Sequence, residues 1–465
     1  MTATNKSVLF IAYHFPPSAA VGGHRIARFA SAVRALEWRS DVLTIADEDV
    51  EAIDPDRLKD VEGITIHKAH VFPTLLDAMT AVWNRVRRGS SRRAGAALTS
   101  VAPSAADNGV PRRGLRRFVM SMLVLPDGER GWLIPATIRA VRTIRRQRIG
   151  WFMTSCPPYS VHMVGLAVKA LTGARWAADF RDPWMTTGSK RLYPTSPLSL
   201  RIERWLERKV IEKADLAVFN VDRLRNAYRE RYAHVRPDKF VFIPNGLVRR
   251  PDSQPVQKYG VFTISYTGSL YVGRSPEPVL AAVSRLIREG RVTADAIKVK
   301  LVGHCRSIDG TPTEAIIRRL GLDSVVDVVD PIPYEDAFQV VRRSHLALLL
   351  APNLPYQIPA KVYDYLAAGT RILAISEEGG TADLINETAS GRAFRSDEVD
   401  AIANFIESEL DVVSRSSSQD VSVGLDRYDV ARTAADLVAH FTRVGAAPPS
   451  PDLAGEDSGR FKASI

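Results

Sequence analysis

Short apolar runs alternate with amphipathic stretches along most of the chain. Residues 7–15, SVLFIAYHF, are apolar on both faces, as a parallel strand covered by helices on both sides must be. The loop PPSAAVGG follows, and HRIARFASAVRALEW then places Ile26, Phe29, Ala30 and Val33 on one helical face. SDVLTIAD predicts a second strand. This opening is the pattern of a doubly wound α/β domain. It continues through helix ATIRAVRTIRRQR, strand WFMTS, the loop and helix CPPYSVHMVGLAVKALTG stopped by Gly173, and strand RWAADF. The long helix SLRIERWLERKVIEKA and strands DLAVFN and VFIPNG complete the first half. The apolar run 118–125 is too short to span a bilayer. It reads as buried core, with an interfacial helix beside arginines as the alternative.

Residues 248–260, VRRPDSQPVQKYG, are polar and contain proline, and they predict a domain linker. The pattern then restarts with strand FTISYTG, helix VLAAVSRLIREG and strand KVKLVGH. Helix TEAIIRRLG, strand VVDVVD, helix YEDAFQVVRRS and strand HLALLLAP come next. The expectation is two Rossmann-like doubly wound domains facing across a cleft, over residues 1–247 and 261–426. A closing helix over 427–445 is free to cross back to the first domain. The tail 446–465, rich in Pro, Gly, Asp and Ser, is expected to be disordered.

Composition narrows the class. At 465 residues, 45% hydrophobic and 25% charged, this is an ordinary globular balance. The N-terminus lacks the pattern of a secretory signal. The two cysteines, Cys156 and Cys305, are far apart, which excludes a Cys-based zinc site and suits a cytoplasmic location. The charge of +11 is local: residues 82–150 carry fifteen arginines, no lysine and three acids, an excess of +12. The Arg-rich stretch 86–115 predicts a mobile basic insertion. Peripheral contact with anionic membrane, at the inner face of the cell membrane, is one reading of it and a solvated loop is the other. Interleaved aromatics and a recognised module are both missing, so nucleic acid is not an expected partner.

Candidate chemistry gathers at loops that follow strands. Residues 355–375, PYQIPAKVYDYLAAGTRILAI, read as loop, helix, glycine stop and buried strand. Lys361 falls in the first turn, where the helix dipole disfavours a cation unless an anion lies between. Asp364 is three residues on, on the same side. A phosphate clamp beside a hydroxyl-binding carboxylate is the functional reading; an ordinary surface pair is the alternative. Gly22 and Gly23 open the first helix, with Arg25 and Arg28 after them. G-x-G-x-x-G is not matched, which counts against a nicotinamide enzyme. Ligands of open parallel sheets bind at carboxyl ends of strands, which gathers Thr154, Ser155, Tyr159, His162, Asp179, Arg181 and Asp182 near one crevice. An ion pair between Arg181 and Asp182 and a packed His162 are the plainer alternatives. Gly268, ending a strand, and Arg274 six residues on suit a diphosphate.

The order strand–GG–helix, IPNG, TGSL-x3-R, LVG, K-x2-D-Y-L-A-A-G and GG-x2-D resembles retaining glycosyltransferases of the GT-B fold, the family-4 group. TSCPPYSVH and DFRDPW look like a bacterial branch that builds polysaccharides and glycoconjugates. The resemblance covers about residues 7–444 outside the basic insertion. It implies transfer of a sugar from a nucleotide-sugar donor to a saccharide, lipid-linked or small-molecule acceptor. No metal and no cofactor beyond the donor are implied. Donor contacts would come from Gly22, Gly23, Gly268, Ser269, Arg274, Tyr356, Lys361 and Asp364. Catalytic roles would fall to Arg274, Lys361, Arg181 and Asp182, and His14, Arg25, Tyr159 and His162 would lie on the acceptor side. The chain departs from the family pattern at several places, among them Arg274 for a usual lysine and Asp364 for the second usual glutamate. Ser269 stands where an arginine is usual, Tyr356 where the first of two glutamates is usual, and Arg181 where a histidine is usual. These departures keep two rivals open: a catalytically silent GT-B subunit that binds a nucleotide sugar or a partner enzyme, and a sugar-nucleotide epimerase.

Overall fold

A computed structural model describes residues 6–74, 113–185, 195–247, 256–270, 273–415 and 423–446. Strand β1 (Ser7–Ile11), helix α1 (His24–Ala35), β2 (Arg39–Ile45) and β3 (Thr65–Ala69) begin the first domain. Helices α2 (Arg113–Leu123) and α3 (Leu133–Gln147) lead into β4 (Trp151–Cys156). Then come α4 (Ser160–Thr172), β5 (Arg175–Phe180), α5 (Pro197–Lys213), β6 (Leu216–Phe219), α6 (Asp222–Arg231) and β7 (Phe240–Phe242). The sheet order is β3-β2-β1-β4-β5-β6-β7, with parallel pairing, and Phe10 lies opposite both Val42 and Met153. Strand order reverses between β1 and β4, so the loops after these two strands diverge and leave a crevice.

The second domain repeats the plan. It runs β8 (Phe262–Thr267), α7 (Glu277–Arg288) and β9 (Ile297–Val302), then a ribbon of β10 (Ser307–Ile308) and β11 (Thr311–Pro312). Helix α8 (Thr313–Arg319), β12 (Val326–Val329), α9 (Tyr334–Arg343) and β13 (Leu346–Leu350) follow. Helix α10 (Lys361–Ala367), β14 (Arg371–Ile375), α11 (Gly380–Glu387), β15 (Gly391–Phe394) and α12 (Val399–Ser414) close the domain. Here the order is β12-β9-β8-β13-β14-β15, and the reversal falls between β8 and β13. Two doubly wound parallel-sheet domains of the GT-B type therefore follow one another in the chain.

Helix α13 (Val430–Ala446) returns to the first domain. Its Ala434, Leu437 and Phe441 are buried with Val8, Phe10 and Val42 of the sheet, and Phe441 stacks on Trp151 at 4.4 Å. Burial of apolar area dictates this: without α13, α1 would leave Trp38 and Trp151 of that face in water. The opposite face is covered by α3, α4, α5 and α6.

Several sequence expectations change. The first strand stops at Ile11, because the chain beyond it turns into the crevice loop. Residues 113–115, assigned to the mobile insertion, form the start of α2. The rest of the insertion up to residue 112, most of the linker (248–255) and the tail from 447 lie outside the described residues. Residues 118–125 are not simply core: Phe118 and Val119 point outward, while Val124 is buried.

The charged centre of the first domain is a buried knot. Arg25 donates to both carboxylate oxygens of Asp179 at 3.0–3.2 Å. It also donates to the carbonyls of Ile243 and Pro244 and to Asn245 Oδ1. Ser155 Oγ donates to Asp179 at 2.7 Å, and the guanidinium lies 4.6 Å from the Phe29 ring centre. Every donor finds an acceptor, which is what allows a charge pair to stay dry. Arg25→Met would leave Asp179 charged and buried. A loss of about 3–5 kcal/mol is expected, read as an earlier urea midpoint in tryptophan fluorescence.

Candidate functional site: an anion seat beside two bare strand ends

The second domain builds its site from two glycines. Gly268 follows β8 with φ +123°, and Gly303 follows β9 with φ +122°. Both conformations favour glycine. Space forbids larger residues as well: a Cβ on Gly303 would fall 2.3 Å from the Gly268 carbonyl oxygen. A Cβ on Gly268 would fall 2.0 Å from Lys361 Nζ. The lysine ammonium thus rests where other residues carry a side chain. Lys361 begins α10, directly after the β13 crossover loop, so the sheet's reversal brings it over the end of β8.

Neighbours of Lys361 supply little negative charge. Nζ lies 4.4 Å from the Tyr266 ring centre and 3.3 Å from its Oη. The Tyr266 hydroxyl donates to the Ser269 carbonyl at 2.6 Å, and Cys305 Sγ donates to the Gly268 carbonyl at 3.3 Å. Burial pulls the Lys361 pKa down to about 8, and the nearby positive charge of Arg274 adds to the shift; Cys305 and Asp364 oppose it. Two cations held close, one of them half-buried, form a seat that an anion stabilises.

Asp364 sits one turn further along α10 and accepts from the Tyr334 hydroxyl at 2.9 Å. Across from it comes Arg28 of α1, which donates to the Gly246 carbonyl at 3.0 Å. Burial lowers the Arg28 pKa, and the charges of Asp364 and Tyr334 work against that lowering. The loop before α10 also reaches the first domain. Gln357 Nε2 donates to Asp182 Oδ1 at 2.6 Å, and Tyr356 packs against the first domain's apolar cluster. Arg223 forms an ion pair with Asp383 near the start of α11.

On the first-domain side, Gly22 and Gly23 lie in a short turn beside His14. Arg181 clasps this turn: its guanidinium donates to the carbonyls of Gly22, Cys156 and Pro157. Its hydrogen bonds go to backbone, so its place here is that of a brace between two crevice loops. His14 is half-buried, and its pKa is lowered by burial and by Arg181.

Three residues assigned to the acceptor side are buried. Arg25 is in the buried knot. Tyr159 is buried, stacks on Trp184 at 5.0 Å and donates to the Pro183 carbonyl. His162 is fully buried between Phe180 and Trp184, with Nδ1 at 2.8 Å from Thr154 Oγ1. Burial and the charge of Arg181 push its pKa down to about 3. Thr154, Ser155 and Asp179 are buried too, rather than lining a crevice. Strand ends locate the crevice but not which residues turn inward. Tyr356, assigned to the donor, leans partly on the first domain. Tyr266, Tyr334 and Gln357 stand beside these groups and escaped the sequence reading, while Gly303 entered it only as part of the motif LVG. Only the glycine after strand KVKLV carried a local signal.

Comparison with known proteins follows this geometry. Residues 90–246 match the family described as Glycosyl transferase 4-like domain. No curated protein sequence matches the chain. Among solved structures, the fold is similar to that of Anabaena HepE in complex with UDP-glucose, with TM-score 0.58 and 13% identity, over 94% of this chain and 99% of that one. Sucrose-phosphate synthase from Thermosynechococcus elongatus matches with TM-score 0.57 and 15% identity, over 95% and 100%. WaaG, a glycosyltransferase involved in lipopolysaccharide biosynthesis, matches with TM-score 0.52 and 12% identity, over 94% and 98%. The fold is GT-B, and Lys361 with the Arg274 charge beside it stands at the second domain's switch point.

The seat predicts a pH dependence. An unfolded lysine titrates near 10.5 and Lys361 near 8. Between these values the unfolded chain binds more protons, so this group's contribution to stability rises with pH. An anion needs the charged form, so nucleoside diphosphate affinity should fall above about pH 8, by up to about tenfold per unit. Calorimetric titrations from neutral to alkaline pH would read this, and Lys361→Met should flatten the profile. Gly268→Ala should lose the same affinity, because its Cβ occupies the ammonium's place.

Proposed function

We propose that this chain is a retaining glycosyltransferase of the bacterial polysaccharide and glycoconjugate branch. It would move a sugar from a nucleotide-sugar donor to an acceptor hydroxyl on a saccharide, a lipid-linked or a small molecule, without a metal. The observation that carries the reading is Lys361 held over the bare Gly268 turn with the Arg274 charge beside it. The donor's diphosphate fits this seat, Asp364 and Tyr334 face the ribose, and the turn at Gly22 and Gly23 closes from the other domain. The UDP-glucose in the Anabaena structure gives the donor class a precedent.

In the reaction, the acceptor oxygen bonds to the anomeric carbon as the bond from that carbon to the diphosphate oxygen breaks. The acceptor's proton passes to the departing diphosphate. The protein's work is alignment and stabilisation of charge on the leaving group, for which Lys361, Arg274 and backbone amides near Gly268 are the groups in place. Asp182, held by Gln357 from the other domain, is a carboxylate that suits a sugar hydroxyl. Lys361→Ala should lower kcat/KM by about tenfold or more, the loss of one charged hydrogen bond. Turnover of a nucleotide-sugar panel at the wild-type rate would refute the seat.

Tyr356 favours a second reading, a silent subunit that binds a nucleotide sugar, since its ring contacts the first domain instead of offering a carboxylate. Donor binding by thermal shift with no turnover, with or without bacterial lipid extract, would select that reading. Isomer formation without acceptor would select an epimerase.

A further inference from the structure

The strand order of the second sheet lays the proposed donor out along one edge. All its strands are parallel, so the loops that follow them line up in the order β12, β9, β8, β13, β14. Gly303 and Gly268, after β9 and β8, lie under Lys361 at the middle of this row. Tyr334, beyond the loop after β12, bonds to Asp364 on the nucleoside's side. A diphosphate joins a nucleoside to a sugar. A sugar extending from this seat, away from Tyr334, therefore lies over the loops after β13 and β14.

Those two loops form one wall. Gly380 N donates to the Pro355 carbonyl at 3.0 Å, and a Cβ on Gly379 would fall 2.8 Å from Pro355 Cα. The first domain meets the same wall: a Cβ on Gly380 would fall 2.6 Å from Val221 Cγ1, at the start of α6. Most charged groups here are already engaged. Asp182 accepts from Gln357, and Arg223 is paired with Asp383. Arg181 donates to three carbonyls. Glu377 accepts from the Asn353 N–H, so it is tied to backbone. Glu378 differs. It is exposed, and it makes no hydrogen bond or ion pair among the described residues. The charges of Glu378 and Tyr356 both bear on Arg223, which places the three together.

We infer that Glu378 sets the charge class of the donor sugar, and that this sugar is an uncharged hexose. The inference rests on the proposed transfer activity and deepens it. A carboxylate accepts hydrogen bonds from neighbouring sugar hydroxyls, and charged acceptors make the stronger bonds. Position 356, on the loop after β13, offers a phenol; Glu378 supplies a carboxylate from the loop pressed against it. Asp182, held by Gln357, supplies another from the first domain. Hydroxyls need no counter-charge to sit among these groups. A uronic acid would bring its own carboxylate into the same space. Arg181 and Arg223 already hold other partners, so the uronate would meet Glu378 as a like charge. Such a rejection acts on the sugar alone and leaves the diphosphate's place at Lys361 unaltered.

Titration calorimetry of the full chain tests this with two series: UDP, UDP-glucose and UDP-glucuronic acid, then GDP, GDP-mannose and GDP-mannuronic acid. For whichever base is accepted, the hexose should bind more tightly than the uronate by about tenfold or more. Glu378→Gln should narrow that preference by about fivefold, and Glu378→Lys should turn it towards the uronate. In Glu378→Gln the thermal melt and the affinity for the bare diphosphate should stay at wild-type values, because the side chain is exposed and the diphosphate's place is at Gly268 and Lys361. Equal binding of hexose and uronate, or a preference that Glu378→Gln leaves unchanged, would overturn the inference while the diphosphate seat stands. Binding of neither diphosphate would remove the transfer reading itself, and the inference with it.

Discussion

The buried contact between Arg25 and Asp179 is the constraint on which the first domain's side of the cleft depends. It joins α1, the end of β5 and the chain leaving β7 in one knot. The crevice features all hang a few residues from it. Gly22 and Gly23 precede Arg25, Arg28 follows one turn later, and Arg181 and Asp182 follow Asp179. A charge pair this dry is stable only with all its hydrogen bonds made. Its geometry therefore allows little freedom to the loops it holds. The Arg181 guanidinium then extends the order by bracing the glycine turn against the β4 loop.

The second domain uses an opposite device. There a charge is held half-buried with no carboxylate in ion-pair contact among the described residues. Two glycines at neighbouring strand ends remove the side chains that would fill the space, and Lys361 occupies it beside Tyr266. The first domain neutralises its buried cation with a carboxylate, and the second sets one against an aromatic ring. Between them, Gln357 with Asp182 joins two loops, and Arg223 with Asp383 joins the first turns of α6 and α11.

Much of the fold was legible in the sequence, because apolar periodicity reports local burial whatever the partner. Most strands of both sheets, though not β3, the restart near residue 261 and the glycine stop after α10 follow from patterns a few residues long. The site was legible only in part. Gly268, Lys361 and Asp364 stood out because a glycine after a strand and a cation in a helix's first turn are locally unusual. Tyr266, Tyr334 and Gln357 are ordinary where they stand in sequence and acquire a role only from neighbours far along the chain.

Arg25, Arg181 and Lys361 make the division plain. The sequence by itself determined that each lies beside a strand end or helix start, where a cation needs a partner. Only the tertiary structure decided which partner. Arg25 met a carboxylate 154 residues away, Arg181 met three carbonyls, and Lys361 met the Tyr266 hydroxyl. His162 and Tyr159 went the same way: their helix position was readable, but their burial was set by the aromatic side chains of β5 and the loop after it. Backbone geometry is written in local patterning, since each element's preferences are set within a turn or two. The fate of a charge is written in what packs against it, and chain topology alone brings those groups together.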